Sequence, residues 1–374
     1  MFAKFKKYLL ETDYVLLAAV LCLAGIGIVS IYSAGYNPYT GETDAFYKRQ
    51  LMWLVLSIIS FFVMSYVNYR KVVRLTSVIY GAGILLLLIV LILGHIKMGA
   101  QRWIGIGPLR LQPSEIFKII WVISLAWLFM DFDGKRLSLI KILQKSWMLI
   151  PPFLLVFSQP DLGTALTYVA VWGMLLLMLG VQRHVFIIAL IAVAIMVPVG
   201  WQHLHDYQQT RVKVFLGLVQ DKQGDGYHAE QSKVAVGSGG INGKGFLGGT
   251  QAHLSFLPES HTDFIYSVIN EEQGLIGGTA VILLFLFLIF RIFSIAMKTK
   301  EASGKLIAMA VGCYIFFQFI INAGMTVGMV PIVGIPMPFV SYGGSSMFAT
   351  FIIFGVIQGL YILKENEEED DEEG

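Results

Sequence analysis

Charge is scarce in this sequence. Only 14% of its 374 residues are Asp, Glu, Lys or Arg, against about 25% in an average soluble domain. So few charges cannot clothe a soluble protein of this length. Cysteine is scarcer still. Cys22 and Cys313 each lie inside an apolar run, which excludes a disulfide framework and a cysteine metal site. The histidines are scattered, and His203-Leu-His205, His228, His253 and His261 lack carboxylates or cysteines at ligand spacing. They read as surface or capping residues, so no protein-built metal site is expected. No internal repeat stands out, which weakens an inverted-repeat transporter reading. No nucleic-acid partner is expected either.

What is present is apolar length. The chain is 56% hydrophobic, with a mean hydropathy of +0.70, and about 20 apolar residues make one membrane-spanning helix. Apolar runs fall near 14–33, 50–67, 75–94, 114–130, 147–158, 162–180, 185–202, 264–290, 306–328 and 346–363. The first is too long for a signal-peptide core and lacks a cleavage motif, so it reads as a span. The fifth contains Pro151-Pro152 and should be kinked or broken. The eighth opens on polar Asn270-Glu-Glu-Gln273 and turns apolar from Leu275. The expected fold is an all-α polytopic membrane protein of about ten helices, with one membrane domain over 1–363.

Basic residues orient it. With the N-terminus inside, short inside segments hold fifteen Lys and Arg, including Lys4, Lys6, Lys7, Arg70, Lys135 and Lys364. Short outside loops hold five: Lys48, Arg49, Lys97, Arg102 and Arg110. That asymmetry puts both termini in the cytoplasm and the one long loop, about 203–263 between helices 7 and 8, outside. Partial order is expected there, since Val212, Val214, Phe215, Leu216, Val234, Val236, Phe246 and Phe256 are available for burial. Residues 364–374 form a block of acid, expected to be a disordered cytoplasmic tail; without it the chain carries about +10.

Several polar clusters interrupt the apolar background. Gly237-Ser-Gly-Gly-Ile-Asn-Gly-Lys-Gly245 misses the phosphate-loop pattern at Ser238 and Gly245; it is either a flexible turn or a nest whose amides cradle an anion. Glu115 and Lys118 in Gln112-Pro-Ser-Glu-Ile-Phe-Lys118 share a helix face, as a structural ion pair or as polar contacts at a cavity mouth. Asp161 in Gln159-Pro-Asp-Leu-Gly-Thr164 either caps the sixth span or serves the site. Glu259, His261 and Asp263 gather where the long loop re-enters lipid. Low-dielectric surroundings raise a carboxylate's pKa, and Asp263 so placed suits a general base for a sugar hydroxyl, a helix cap or an ion-coupling group. The segment Pro331–Ser346, with Pro331, Pro336, Pro338 and paired Gly343-Gly344, cannot be regular helix and should line a cavity.

Taken together, these segments resemble the SEDS family (shape, elongation, division and sporulation), with wording closest to its elongation branch. The matching stretches are Gly99-Ala-Gln-Arg-Trp103, Gln112–Lys118, Gln159–Thr164, Gln231-Ser232, Gly239–Gly245, Leu257-Pro-Glu-Ser-His-Thr-Asp-Phe264 and Pro336–Ser346. They run in the expected order over most of the chain.

The resemblance implies a ten-helix protein of the bacterial cytoplasmic membrane with an outward-facing site. It implies polymerisation of lipid II into a β-1,4 glycan strand, with Asp263 as the essential acid and undecaprenyl pyrophosphate as leaving group. A class B penicillin-binding protein would be the partner, among membrane lipids. Arg102, Trp103, Gln112, Ser114, Glu115, Lys118, Asp161, Gln231, Ser232, Glu259, His261, Thr262, Ser341, Tyr342, Ser345 and Ser346 become expected cavity residues. Lys118, Arg102, Lys233 and Lys244 are candidates to meet the diphosphate, with a divalent cation (Mg or Mn) as a further candidate and no nucleotide required. A lipid II flippase and a non-catalytic scaffold for the penicillin-binding protein are the alternatives.

Overall fold

The computed structural model describes residues 11–373 except 98, 99, 107, 108, 133, 220, 222, 223 and 255. Lys4, Lys6 and Lys7 of the basic tally and Gly99 of the matching stretches lie outside the described residues.

Long apolar runs fold as helices because every backbone N–H and C=O is then satisfied without water. In chain order the helices are α1 (Tyr14–Ala34), α2 (Phe46–Tyr66), α3 (Tyr69–Arg74), α4 (Thr76–Leu93) and α5 (Pro113–Phe129). Then come α6 (Leu139–Ser146), α7 (Ile150–Ser158), α8 (Leu162–Leu179) and α9 (Arg183–Trp201). The rest are α10 (Asp206–Phe215), α11 (Asp225–Ser238), α12 (Ile265–Lys298), α13 (Ala302–Thr326) and α14 (Gly344–Glu373). Capping follows the sequence: the Asp13 carboxylate accepts the Leu16 amide at 3.0 Å, and Pro113 occupies the first turn of α5.

Seven helices among the described residues are apolar and at least 18 residues long: α1, α2, α4, α8, α12, α13 and residues 344–363 of α14. The molecule is therefore a multi-pass membrane protein. The pair α6 and α7 is bent by 51° beside Pro151-Pro152, where the paired prolines predict a break. Within α12, Gly274 takes non-helical angles (φ 66°, ψ −163°) at the change from polar to apolar sequence. α5, buried on nearly every face, packs against α4, α13 and α14. α2 lies along α14, where Gly355 and Gly359 let the backbones of Phe61 and Ser65 approach too closely for any side chain.

Two findings differ from the expectation. Small antiparallel ribbons interrupt the all-α pattern: β1 (Tyr36–Asn37) with β2 (Glu42–Thr43), and β3 (His95–Lys97), β4 (Ala100–Ile106), β5 (Leu109–Leu111). They pair connection backbone that no helix satisfies. The long loop is ordered by helices α10 and α11, yet Phe215, Leu216, Val234, Phe246 and Phe256 stay exposed. Ser232, Ala235, Ala252 and Leu257 are buried in their place, because α11 turns its small residues inward. α14 is helical as far as Glu373. Glutamate is a good helix former and propagates a helix already nucleated by the span.

Candidate active site

Asp263 sits two residues before α12, half-buried, in the closing turn of the long loop. Burial pushes its carboxyl up to about 6. Arg211 pulls that value down, Glu259 and Asp161 push it up, and Arg102 pulls it down. The structure thus draws five charged groups from β4, the start of α8, α10 and the loop turn into one field. A carboxylate that titrates near neutrality and stands among both signs of charge is suited to accept a proton.

Asp161 joins two roles that the sequence left open. Its Oδ1 accepts the Thr164 amide at 3.2 Å, capping α8, and its Oδ2 accepts from Gln112 Nε2 at 3.1 Å. The Gln112 amide nitrogens also reach Ser114 Oγ at 3.1 Å and, from the backbone, Ser345 Oγ at 3.0 Å. Arg102, carried over from β4, donates to the carbonyls of Gln159 and Pro160, with Nη1 3.9 Å from Asp161. Trp103 follows it in β4, part-exposed. Tyr207 of α10 donates to the Pro160 carbonyl at 2.8 Å. Arg211, one turn on, shares that face of α10.

A non-helical strap, residues 331–343, closes the other side. It is laced to the Asp263 turn at three points. Asn322 Nδ2 donates to both the Asp263 carbonyl (3.0 Å) and the Ile335 carbonyl (2.8 Å). Ser341 Oγ donates to the Thr262 carbonyl at 2.7 Å, and the Tyr342 amide donates to the His261 carbonyl at 2.8 Å. His261 stacks on Phe46 at 4.2 Å and leans on Tyr342. Thr262 Oγ1 donates to Glu259 Oε2 at 3.0 Å. Pro331 and Ile332 line a cavity of about 520 Å³ shared with Arg211, Lys233 and Met325, as a proline-broken segment at a wet cavity should.

Not every expected residue converges here. Lys118 and Glu115 pair at 2.6 Å with side chains 2% and 5% exposed, so Lys118 is spent on a buried partner. Lys244 pairs at 2.6 Å with Glu271, itself buried, two turns along α12 from Asp263. The glycine stretch is no open nest: the amides of Lys244 and Gly245 donate to the carbonyls of Glu271 and Glu272. Ser232 is buried against Ser267 and the Thr326 carbonyl. Ser346 uses its carbonyl to accept from Thr350. Gln231 is part-buried and Lys233 exposed on α11. His253 departs from the surface reading: its ring is buried between the Ser33 carbonyl, at 2.9 Å, and Glu272, at 3.8 Å.

The model of the cell cycle protein family FtsW/RodA/SpoVE matches residues 14–366. The chain belongs to the SEDS family. It is 37% identical over 351 residues to the peptidoglycan glycosyltransferase MrdB of Escherichia coli strain K12, covering 93% of each chain. It is 30% identical to the peptidoglycan glycosyltransferase RodA of Treponema pallidum, covering 94% of this chain and 97% of that one. A chain of a solved peptidoglycan synthase complex, described as coordinating polymerisation and crosslinking, superposes with a TM-score of 0.80 at 28% identity, over 94% of this chain and 98% of that one. The crystal structure of the rod-shape-determining protein RodA of Thermus thermophilus gives 0.68 at 25% identity, over 94% and 96%.

Residues that sequence reading missed in this SEDS chain are Arg211, Gln50, Asn322 and Gly334. Gln50, fully buried in α2, donates to the Ser341 carbonyl at 3.1 Å and accepts the Gly343 amide at 3.2 Å. Gln50 and Asn322 carry a readable signal, an uncharged polar side chain inside an apolar run. Arg211 carries none, because its position depends on the contact of α10, through Tyr207, with the Pro160 carbonyl.

Proposed function

We propose that this chain is a peptidoglycan glycosyltransferase that polymerises lipid II at the outer face of the bacterial cytoplasmic membrane, with Asp263 as general base. The observation that carries the mechanism is the pairing of burial with opposed charges around Asp263, which holds its carboxyl at about 6. Above that pH the carboxylate accepts the proton of an acceptor sugar hydroxyl. The freed oxygen bonds to the anomeric carbon of the lipid-linked strand. The bond from that carbon to the diphosphate breaks, and undecaprenyl pyrophosphate leaves with the electron pair, inverting the α-linked donor to a β-1,4 product. Arg102 and Arg211 are the cations in the field of Asp263, and they supply positive charge where the diphosphate departs. Lys118, buried with Glu115, holds α5 instead.

The ten-span topology with both termini inside rests on the asymmetry of basic residues and puts the Asp263 turn outside. Among the described residues no three His, Cys, Asp or Glu side chains converge as metal ligands. A Mg or Mn ion would therefore rest mainly on the substrate diphosphate and water, with at most one or two protein carboxylates. The partner that fits is a class B penicillin-binding protein docking on the exposed apolar loop residues, supported by the match to a synthase complex chain.

The test is polymerisation of purified lipid II by the reconstituted chain, alone and with its penicillin-binding partner. Glycan strands from either mixture are expected. No strands from both, with lipid II instead exchanged across the bilayer, would favour the flippase.

A further inference from the structure

Asn322 is the polar residue whose place is hardest to explain by the span that carries it. It lies on α13 one turn before the helix ends, fully buried. Its Oδ1 has no protein partner, so a buried amide at this depth is costly in itself. What it contributes is two donors from one nitrogen, to the carbonyl of Asp263 at 3.0 Å and of Ile335 at 2.8 Å. The amide orientation follows from chemistry: turned over, Oδ1 would face two carbonyl oxygens.

The residue before Ile335 is Gly334, at φ +69°. A Cβ built there would stand 3.4 Å from Asp263 Oδ2. Val333 and Gly334 also press their carbonyls against Gly163 at the start of α8, where a Cβ would meet the Val333 oxygen at 2.6 Å. The strap thus runs between the helix start that Asp161 caps and the carboxylate of Asp263. Its height is fixed from behind by Asn322.

Resting on the reading of Asp263 as the base, we propose that Asn322 is a positioning residue. By clamping the Asp263 and Ile335 carbonyls together it holds the bare backbone of Gly334 against the carboxylate, and so sets the direction and water exposure of Oδ2. Asn322 does not touch substrate. It acts through the geometry and desolvation of the base, which should appear in turnover and in titration, with substrate affinity left alone.

The experiment compares wild type with Asn322→Asp and Gly334→Ala, each purified with the penicillin-binding partner and assayed on lipid II across pH. Asn322→Asp keeps shape but sets oxygen against two carbonyls. Gly334→Ala leaves Asn322 in place, sets a methyl in van der Waals contact with Oδ2 and strains the backbone at φ +69°. For both, kcat should fall at least 10-fold, KM should change less than about threefold, and the midpoint of the acid limb should move. Turnover and acid limb equal to wild type in Gly334→Ala, or a loss in Asn322→Asp carried by KM with an unmoved limb, would overturn the proposal. So would a turnover loss matched by loss of folded, partner-bound protein in both variants. An Asp263→Asn control separates the two levels. If it polymerises like wild type, the base assignment fails; if it is inactive while Asn322→Asp and Gly334→Ala are normal, only the positioning role fails.

Discussion

Glu115 and Lys118 meet at 2.6 Å with both side chains almost wholly buried, one turn into the helix at the centre of the bundle. Removing one partner from such a pair leaves an uncompensated charge and costs roughly 3–5 kcal/mol, while removing both is far milder. Glu115→Gln and Lys118→Met should each lower the unfolding temperature in detergent markedly. The double variant should recover much of the loss. Additive losses in that cycle would mean that the two side chains do not act as a pair.

The pH dependence has a definite sign. The folded carboxyl of Asp263 stands at about 6, above its ordinary value of 3.8, so the fold prefers the protonated form. The stability it contributes is complete below pH 3.8 and is lost as pH rises through 6. Asp263→Asn should therefore unfold at a higher temperature than wild type at pH 8, with the gap closing towards pH 4. Polymerisation by wild type should fall on the acid side with a midpoint near 6. A thermal-shift series and a pH–rate profile measure the two.

Neighbouring charges should move that midpoint in opposite directions. Arg211 lowers the Asp263 value and Asp161 raises it. Arg211→Gln should shift the acid limb of the pH–rate profile upward. Asp161→Asn should shift it downward, and because Asn also caps helices well, α8 should lose less than about 1 kcal/mol. Movement in the same direction for both would separate these groups from the base.

Glu271 gathers the long loop. Its Oε1 accepts from Lys244 Nζ at 2.6 Å, from the Thr250 amide at 2.8 Å and from Thr250 Oγ1 at 2.9 Å. Glu271→Gln keeps the size of the side chain but removes the charge, and charge-assisted bonds are worth about 1.5–3 kcal/mol each. Limited proteolysis should then cut within residues 240–255 several-fold faster than in wild type. Cleavage at the wild-type rate would mean that the loop is held elsewhere.

How much was legible in the sequence depends on whether the cause is local. The bend at Pro151-Pro152 and the non-helical strap after Pro331 follow from residues that act where they stand, and the sequence places both; the break at Gly274 was not expected, although the sequence marks the polar-to-apolar change beside it. The raised carboxyl of Asp263 was readable too, because a carboxylate at the mouth of an apolar run must lose water. The Glu115–Lys118 pair was one of two readings that their spacing offered, and the structure shows it. The partner of Lys244 was not readable: it looks like a spare cation in the sequence, and only the folded backbone shows that Glu271 has already engaged it. Arg211 is the converse case. Its spacing from Tyr207 puts both on one helix face, but nothing in α10 says that Pro160 lies opposite. The exposed Phe215, Phe246 and Phe256 mislead in a third way, since apolar character does not distinguish burial in this chain from burial against lipid or a partner.

The most direct measurement is the yield of glycan from lipid II by Asp263→Asn beside wild type, both shown to be folded and to bind the penicillin-binding partner, at a pH above 7. Strands from wild type and at least 100-fold fewer from the variant are expected of a carboxylate that takes the hydroxyl proton. Equal yields from the two would contradict the assignment of Asp263 as the base.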